Sequence, residues 1–281
     1  MKEIVFSSEY FNAEDTLLCG QIFRFFKTDS GYIVLSRDKA CKIYQTGENT
    51  HILCDKQNQE YFTNYFDLKT DYSVINGIAQ STKYKILSTS ANLAKGVRIL
   101  KQDSEEMLFS FLISQNNNIP RIKSIINKLC ESLGEKREFC GFEYYTFPTA
   151  KQILSKSEEF YKGLGLGYRA QYLLILANEI NNGLIQRLSG LTGEGVKQEL
   201  LKIKGIGEKV ANCAMLFGFY KTDCFPVDVW IEKIYREDFN GELKNRNKIT
   251  EFFEKEFGSN SGYFQQYLFY YKRTLEKITK K

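Results

Sequence analysis

Leu200-Leu201-Lys202-Ile203-Lys204-Gly205-Ile206-Gly207-Glu208-Lys209-Val210-Ala211 is the stretch that decides the fold. An apolar helix runs into Gly-Ile-Gly and a second helix begins at once, so residues 193–219 read as a helix-hairpin-helix. Glycine reaches positive φ without steric cost, so Gly205 and Gly207 allow a tight reversal. They also let backbone N–H groups approach a phosphate with no Cβ in the way. The N-terminus of the second helix adds unpaired donors and the positive end of a dipole. Such a hairpin grips DNA backbone without reading sequence. Taken alone, Gly-x-Gly also suits a plain turn between helices.

The residues downstream add chemistry. Lys209 sits in the first turn of the second helix, and Asp228 follows in Pro226-Val227-Asp228-Val229, where it can cap the next helix. The intervening helix and loop can return the chain so that the two side chains face one cleft. A partly desolvated lysine near a helix N-terminus has its ammonium form disfavoured. That makes it a nucleophile. A nearby carboxylate stabilises positive charge developing on a sugar and moves protons once a base leaves. Direct pairing with Asp228 favours the charged lysine, so either desolvation dominates or a proton moves at the moment of attack.

Outward from this centre the pattern is helical. Segments 169–182, 192–203, 208–219, 228–238, 246–257 and 260–277 read as helices. Asp103 and Glu106 suggest a capping box ahead of Leu108, Phe111, Leu112 and Gln115. A further helix starts near Asn118, carries Ile122, Ile125, Ile126, Leu129 and Leu133 at helical spacing, and closes at Gly134. The first hundred residues differ. Phe23–Lys27, Tyr32–Leu35, Ala40–Tyr44 and His51–Cys54 are short strand-like runs between turn signals, followed by helices over 57–96. The fold class is therefore α+β: an antiparallel sheet domain with flanking helices over residues 1–100, then a mostly helical two-lobed core over 101–281.

Composition narrows the partners only slightly. The net charge of +5 is compatible with a phosphate-binding surface without requiring one. The 18 tyrosines and 22 phenylalanines can fill a core or stack on bases. No apolar run is long enough to cross a membrane, and no apolar leader follows Met1-Lys2-Glu3. Seven cysteines, an odd number with no C-x-x-C pair, read as mostly buried free thiols of a reducing cytoplasm. Neither a metal site nor any other cofactor is expected. The single histidine, His51, belongs to no motif.

Four further segments occur in order along the chain: Gly20-Gln21-Ile22-Phe23-Arg24-Phe25, Ser114-Gln115-Asn116-Asn117-Asn118-Ile119-Pro120-Arg121, Leu164-Gly165-Leu166-Gly167-Tyr168-Arg169-Ala170 and Gln265-Gln266-Tyr267-Leu268-Phe269. With the hairpin and the Pro-Val-Asp loop they resemble the helix-hairpin-helix glycosylase superfamily. Within it they resemble the 8-oxoguanine DNA glycosylase/lyase family, over nearly the whole chain.

The resemblance implies excision of 8-oxoguanine from double-stranded DNA by base flipping, followed by strand scission. Lys209 is then the nucleophile that forms a Schiff base at C1′, and Asp228 assists base loss. Oxidation turns guanine N7 into a donor, and the resemblance assigns its acceptor to the Gly20 carbonyl. Gln265 bonds the Watson–Crick edge, Phe269 stacks on one face of the base, and Cys213 packs against the other, so the C-terminal helix completes the base pocket. Asn116 fills the vacated stack, Arg121 and Arg169 bond the orphan cytosine, and Tyr168 is the wedge. Arginine offers only donors, which suits cytosine's acceptors and implies a preference for 8-oxoguanine opposite cytosine. Gly205 and Gly207 contact the DNA backbone.

Two positions depart from the family pattern: Ile22 stands where a small polar residue is common, and Trp230 where a histidine is common. The competing readings are a superfamily member for another damaged base and a non-catalytic DNA-binding module. Alkyl-specific members usually lack the lysine, and adenine- or pyrimidine-specific ones usually carry a four-cysteine iron–sulfur loop, whereas this chain has no cysteine after Cys224. A module explains Gly205 and Gly207 but not the Lys209–Asp228 pairing. A monomer, without a membrane partner, cytoplasmic and nucleoid-associated if bacterial, is expected.

Overall fold

A computed structural model describes residues 1–279, with side chains described as far as Leu275. The N-terminal part is a five-stranded antiparallel sheet of β1 (Lys2–Ser7), β2 (Phe25–Thr28), β3 (Gly31–Ser36), β4 (Lys39–Thr46) and β5 (Asn49–Cys54) in the order β1-β5-β4-β3-β2. The middle strands follow one another by short turns. β1 closes the edge by pairing with β5, Lys2 opposite Cys54 and Ser7 opposite Asn49. The consecutive apolar run of β3 is explained by its burial on both faces. Tyr32 and Val34 enter one apolar cluster with Phe62 and Phe66, while Ile33 and Leu35 enter another with Phe139 and Tyr144.

Phe139 and Tyr144 belong to a hairpin that the sequence pattern did not announce, β6 (Lys136–Phe139) and β7 (Phe142–Tyr145). Its turn is Cys140-Gly141, with φ of 52° and 74°. Two adjacent positive φ values are the demand of a tight hairpin turn, usually met by Asn-Gly.

The remainder is helical and shares one large core. At its centre lies the helix Glu208–Gly218, whose residues Val210 to Phe217 are all buried. It packs between the helices Ser104–Ser114 and Gly193–Leu201. The helix Ser261–Thr279 crosses this body and buries Phe264, Tyr267 and Leu268. The helices Tyr72–Gln80 and Lys85–Leu93, early in the chain, join the same apolar cluster. No described helix is long and apolar enough to cross a membrane.

The expected capping box at Asp103 forms only by half. Asp103 Oδ1 accepts from Glu106 N–H at 2.9 Å, but the Glu106 side chain does not reach back. It pairs instead with Arg24 at 3.2 Å, both side chains nearly buried, and accepts from the Arg37 N–H. A buried ion pair of this kind costs much if one partner is lost, so Arg24 of the Gly-Gln segment ties the sheet to the helical body.

Candidate active site

The hairpin is built as the spacing of its apolar residues requires. Ile203 and Ile206 are buried and anchor the turn. Gly205 has φ of 97°, and a Cβ there would fall 2.3 Å from Tyr172 Cγ, so only glycine fits. The Gly205 carbonyl accepts from Gln115 Nε2 at 2.8 Å, which ties the hairpin to the Asn-rich loop. Gly207 differs from expectation. Its φ is −99°, an ordinary extended value, and no atom lies within 4 Å of where its Cβ would be. The fold itself therefore makes no demand for glycine at this position.

Lys209 and Asp228 meet at the junction of two adjoining hollows. The inner one has about 430 Å³ of empty space and is walled by Gly20, Phe111, Cys213, Gln265, Gln266 and Phe269 together with both of these residues. The outer one, about 1090 Å³, adds Asn116, Trp230 and Arg246 to Lys209, Cys213 and Asp228.

Asp228 is the N-cap of the helix Val229–Asp238. Its Oδ1 accepts from Trp230 N–H at 2.9 Å and Ile231 N–H at 3.0 Å. Both bonds fall on one oxygen, and the carboxyl lines both hollows. Burial raises its pKa above the usual aspartate value; the Ile231 N–H, the Lys209 charge, the Trp230 N–H and the Arg246 charge oppose that rise. Among the described residues no salt bridge joins Lys209 to Asp228. Lys209 itself is exposed, so the desolvation expected of it is not supplied by the folded chain alone.

The inner wall is tightly arranged. Gly20 has φ of 93°, and a Cβ on it would lie 3.6 Å from Phe269 Cε1 and 2.9 Å from an Arg273 guanidinium nitrogen. Glycine is thus favoured by conformation; the ring lies at ordinary contact distance, and the guanidinium is the end of a flexible side chain. Arg273 lies 5.6 Å from the Phe269 ring centre and donates to the Leu18 carbonyl at 3.3 Å. Cys213 is buried and its thiol is pushed up to about 12, burial outweighing the Lys209 charge. It stays protonated and serves as a small apolar wall. Phe111 and Phe217, which line the same hollow, stack on each other with centroids 5.6 Å apart.

The second set of expected residues gathers beside the outer hollow. Asn116 is exposed with φ of 44°, and its Nδ2 donates to the Tyr168 hydroxyl at 3.5 Å. Tyr168 is 52 % exposed. Arg121 is exposed and donates to the Gly165 carbonyl at 3.2 Å. Arg169 is different. It is buried, and its guanidinium donates to the carbonyls of Gln115 at 2.8 Å and Asn116 at 3.0 Å. It also donates to the Leu166 carbonyl at 3.4 Å, so in this structure it holds the loop that carries Asn116.

Three residues on these walls were not read from sequence. Gln266 follows Gln265 and could have been found from the doublet. Trp230 was noted only as a departure. Arg246, held by Glu232 at 3.0 Å, left no signal beyond the helix start at Asn245. His51, which belongs to no motif, and Ile22, which departs from the family pattern, both lie outside the site. His51 stacks on Tyr44 and bonds Glu3, and Ile22 is a core residue. All seven cysteines are free, and of these Cys140 is exposed.

Residues 3–108 match the model of the 8-oxoguanine DNA glycosylase N-terminal domain, and residues 109–258 that of the HhH-GPD superfamily of base-excision DNA repair proteins. A probable N-glycosylase/DNA lyase of Methanothermobacter thermautotrophicus is 32% identical over 232 residues, 74% of this chain and 72% of that protein. The structure superposes on MBOgg1 in complex with a low-affinity DNA ligand with a TM-score of 0.92 at 31% identity, covering 98% of this chain and 96% of that one. The Clostridium acetobutylicum 8-oxoguanine glycosylase/lyase, bound to double-stranded DNA with cytosine opposite 8-oxoguanine, gives a TM-score of 0.89 at 35% identity, covering 95% and 93%.

Proposed function

Because the chain belongs to the 8-oxoguanine N-glycosylase/DNA lyase family, we propose that it flips 8-oxoguanine out of duplex DNA, excises it through a Schiff base at Lys209, and prefers the lesion opposite cytosine. The observation that carries this is the sharing of one hollow. Lys209 and Asp228 stand at its mouth, and Gly20, Gln265, Phe269 and Cys213 form its walls. A nucleotide reaches that depth only when extruded, at a cost of a few kcal/mol, which stacking on Phe269 and polar contacts offset.

The chemistry follows from the positions. Lys209 Nζ, once deprotonated, attacks C1′. The C1′–N9 bond breaks, and its electron pair leaves with the base. The Asp228 carboxylate stabilises the positive charge on the sugar and takes the ammonium proton. The nitrogen lone pair then forms the C1′=N bond of a Schiff base as the C1′–O4′ bond breaks, and O4′ takes the proton held by Asp228. Removal of a C2′ proton then expels the 3′ phosphate by β-elimination. The Gly20 carbonyl accepts from N7–H, the proton that distinguishes 8-oxoguanine from guanine.

The cytosine preference is supported by Asn116 on the wall of the outer hollow, by Tyr168 bonded to it and by the exposed Arg121, and by the lesion pair in the Clostridium complex. Arg169 enters through the loop it holds, not as a direct contact. Borohydride reduction with an 8-oxoguanine duplex tests the reading. The protein should become covalently linked to DNA, and Lys209→Gln should abolish both the link and strand scission. Scission undiminished in that variant would overturn the assignment.

A further inference from the structure

The geometry points to Gln266 as a second reader of the extruded base, acting as a pair with Gln265; this rests on the function proposed above. Both glutamines lie on the helix Ser261–Thr279, are 5% and 3% exposed, and line the inner hollow. Gln266 Nε2 donates to Gln265 Oε1 at 2.8 Å. With that bond the Gln265 oxygen is engaged by its neighbour, and its Nε2 is the end left to meet a base.

The other end of Gln266 is the more informative. Its Oε1 is buried and, among the described residues, has no hydrogen-bond partner. A buried acceptor left unsatisfied is unfavourable and uncommon. Here it belongs to a residue on the wall of the base pocket, where the edge of an entering base can supply the missing donor. The pair then offers one donor and one acceptor side by side. Guanine's Watson–Crick edge offers the complement: O6 accepts, and N1–H and the 2-amino group donate. Gln265 Nε2 serves O6 and Gln266 Oε1 serves the N–H groups. Adenine's edge presents the reverse order, an amino donor beside an acceptor nitrogen, so an 8-oxoadenine would leave both amides opposed to like partners.

Gln266 is therefore a specificity residue, and it also positions Gln265. The test compares single-turnover excision from duplexes holding 8-oxoguanine or 8-oxoadenine, with strand scission at a preformed abasic site as the reference, since that site has no base to read. In Gln266→Leu, 8-oxoguanine excision should fall about ten-fold more than abasic scission, the loss of one hydrogen bond. The ratio between the two bases should narrow by a similar factor. Gln266→Glu keeps an acceptor and should retain part of the preference. An unchanged ratio in Gln266→Leu overturns the proposal, as does equal loss of excision and abasic scission, which would mark a structural role. If the unmodified protein neither excises 8-oxoguanine nor links to abasic DNA, the failure lies with the functional reading itself.

Discussion

The Arg169 guanidinium donates to the Asn116 carbonyl at 3.0 Å, and Asn116 is held at a φ of 44°. The arginine thus fixes a residue in a conformation that side-chain-bearing residues adopt infrequently. Arg169→Ala should cost about 1–3 kcal/mol, because the carbonyls of Gln115 and Asn116 lose a charged donor. It should also slow excision opposite all four bases alike. Urea denaturation and excision rates check this. A variant of native stability with altered opposite-base preference would mean that the guanidinium leaves the loop for DNA.

Arg121 is expected to behave in the opposite way. It is exposed, with one bond to the Gly165 carbonyl, so Arg121→Ala should change stability by no more than about 0.5 kcal/mol. Preference for cytosine over the other opposite bases should narrow by about ten-fold, at the lower end of what an arginine–base contact supplies. Excision from the four duplexes measures it, and equal discrimination before and after the change refutes the contact.

Gly20→Ala places a methyl group against Phe269 and Arg273 at a backbone angle that costs about 1–2 kcal/mol for a residue with Cβ. Arg273 can swing aside, whereas the φ of 93° cannot relax without moving the carbonyl. The expected result is a large loss of 8-oxoguanine excision with a smaller loss of scission at an abasic site. Equal effects on both would show that the Gly20 turn serves the fold and not the base.

Asp228 sets a pH dependence. Burial raises its pKa in the folded chain, so between the unfolded value, about 3.9, and the raised one the folded state holds more protons. Stability from this group therefore falls as pH rises through that window and is level above it. Activity runs the other way, since the ionised form is the useful one. The acid limb of the excision rate should lie above the usual aspartate range. Asp228→Asn keeps an oxygen for the cap, asparagine being a good N-cap, while removing the charge. It should be at least as stable at neutral pH, far less active, and without that limb. A pH–rate profile unaltered in shape would remove Asp228 from the chemistry.

The backbone plan was legible because its signals are local. Helix starts at Asn118, Asp228 and Asn245 carry their capping residues in the sequence, and all three accept backbone N–H bonds in the structure. The β6–β7 hairpin was not legible, because Cys140 stands where Asn would have marked the turn. Side-chain direction was the larger gap. Glu106 and Arg169 carry the residue types expected of a capping box and a base contact, yet each is claimed by a partner far along the chain, Arg24 in one case and the Asn116 loop in the other. The exposure of Lys209 is likewise a property of the assembled cleft, invisible from its neighbours in sequence.

The final helix carries Gln265 and Phe269 on one side and drives Phe264, Tyr267 and Leu268 into the core on another. The wall of the inner hollow and the integrity of the core therefore depend on one and the same helix. A copy ended by a premature stop before Ser261 keeps Lys209 in the sequence but loses the packing that assembles the cleft around it. Such a fragment should unravel and be degraded rather than persist as an indiscriminate nuclease cutting sound DNA.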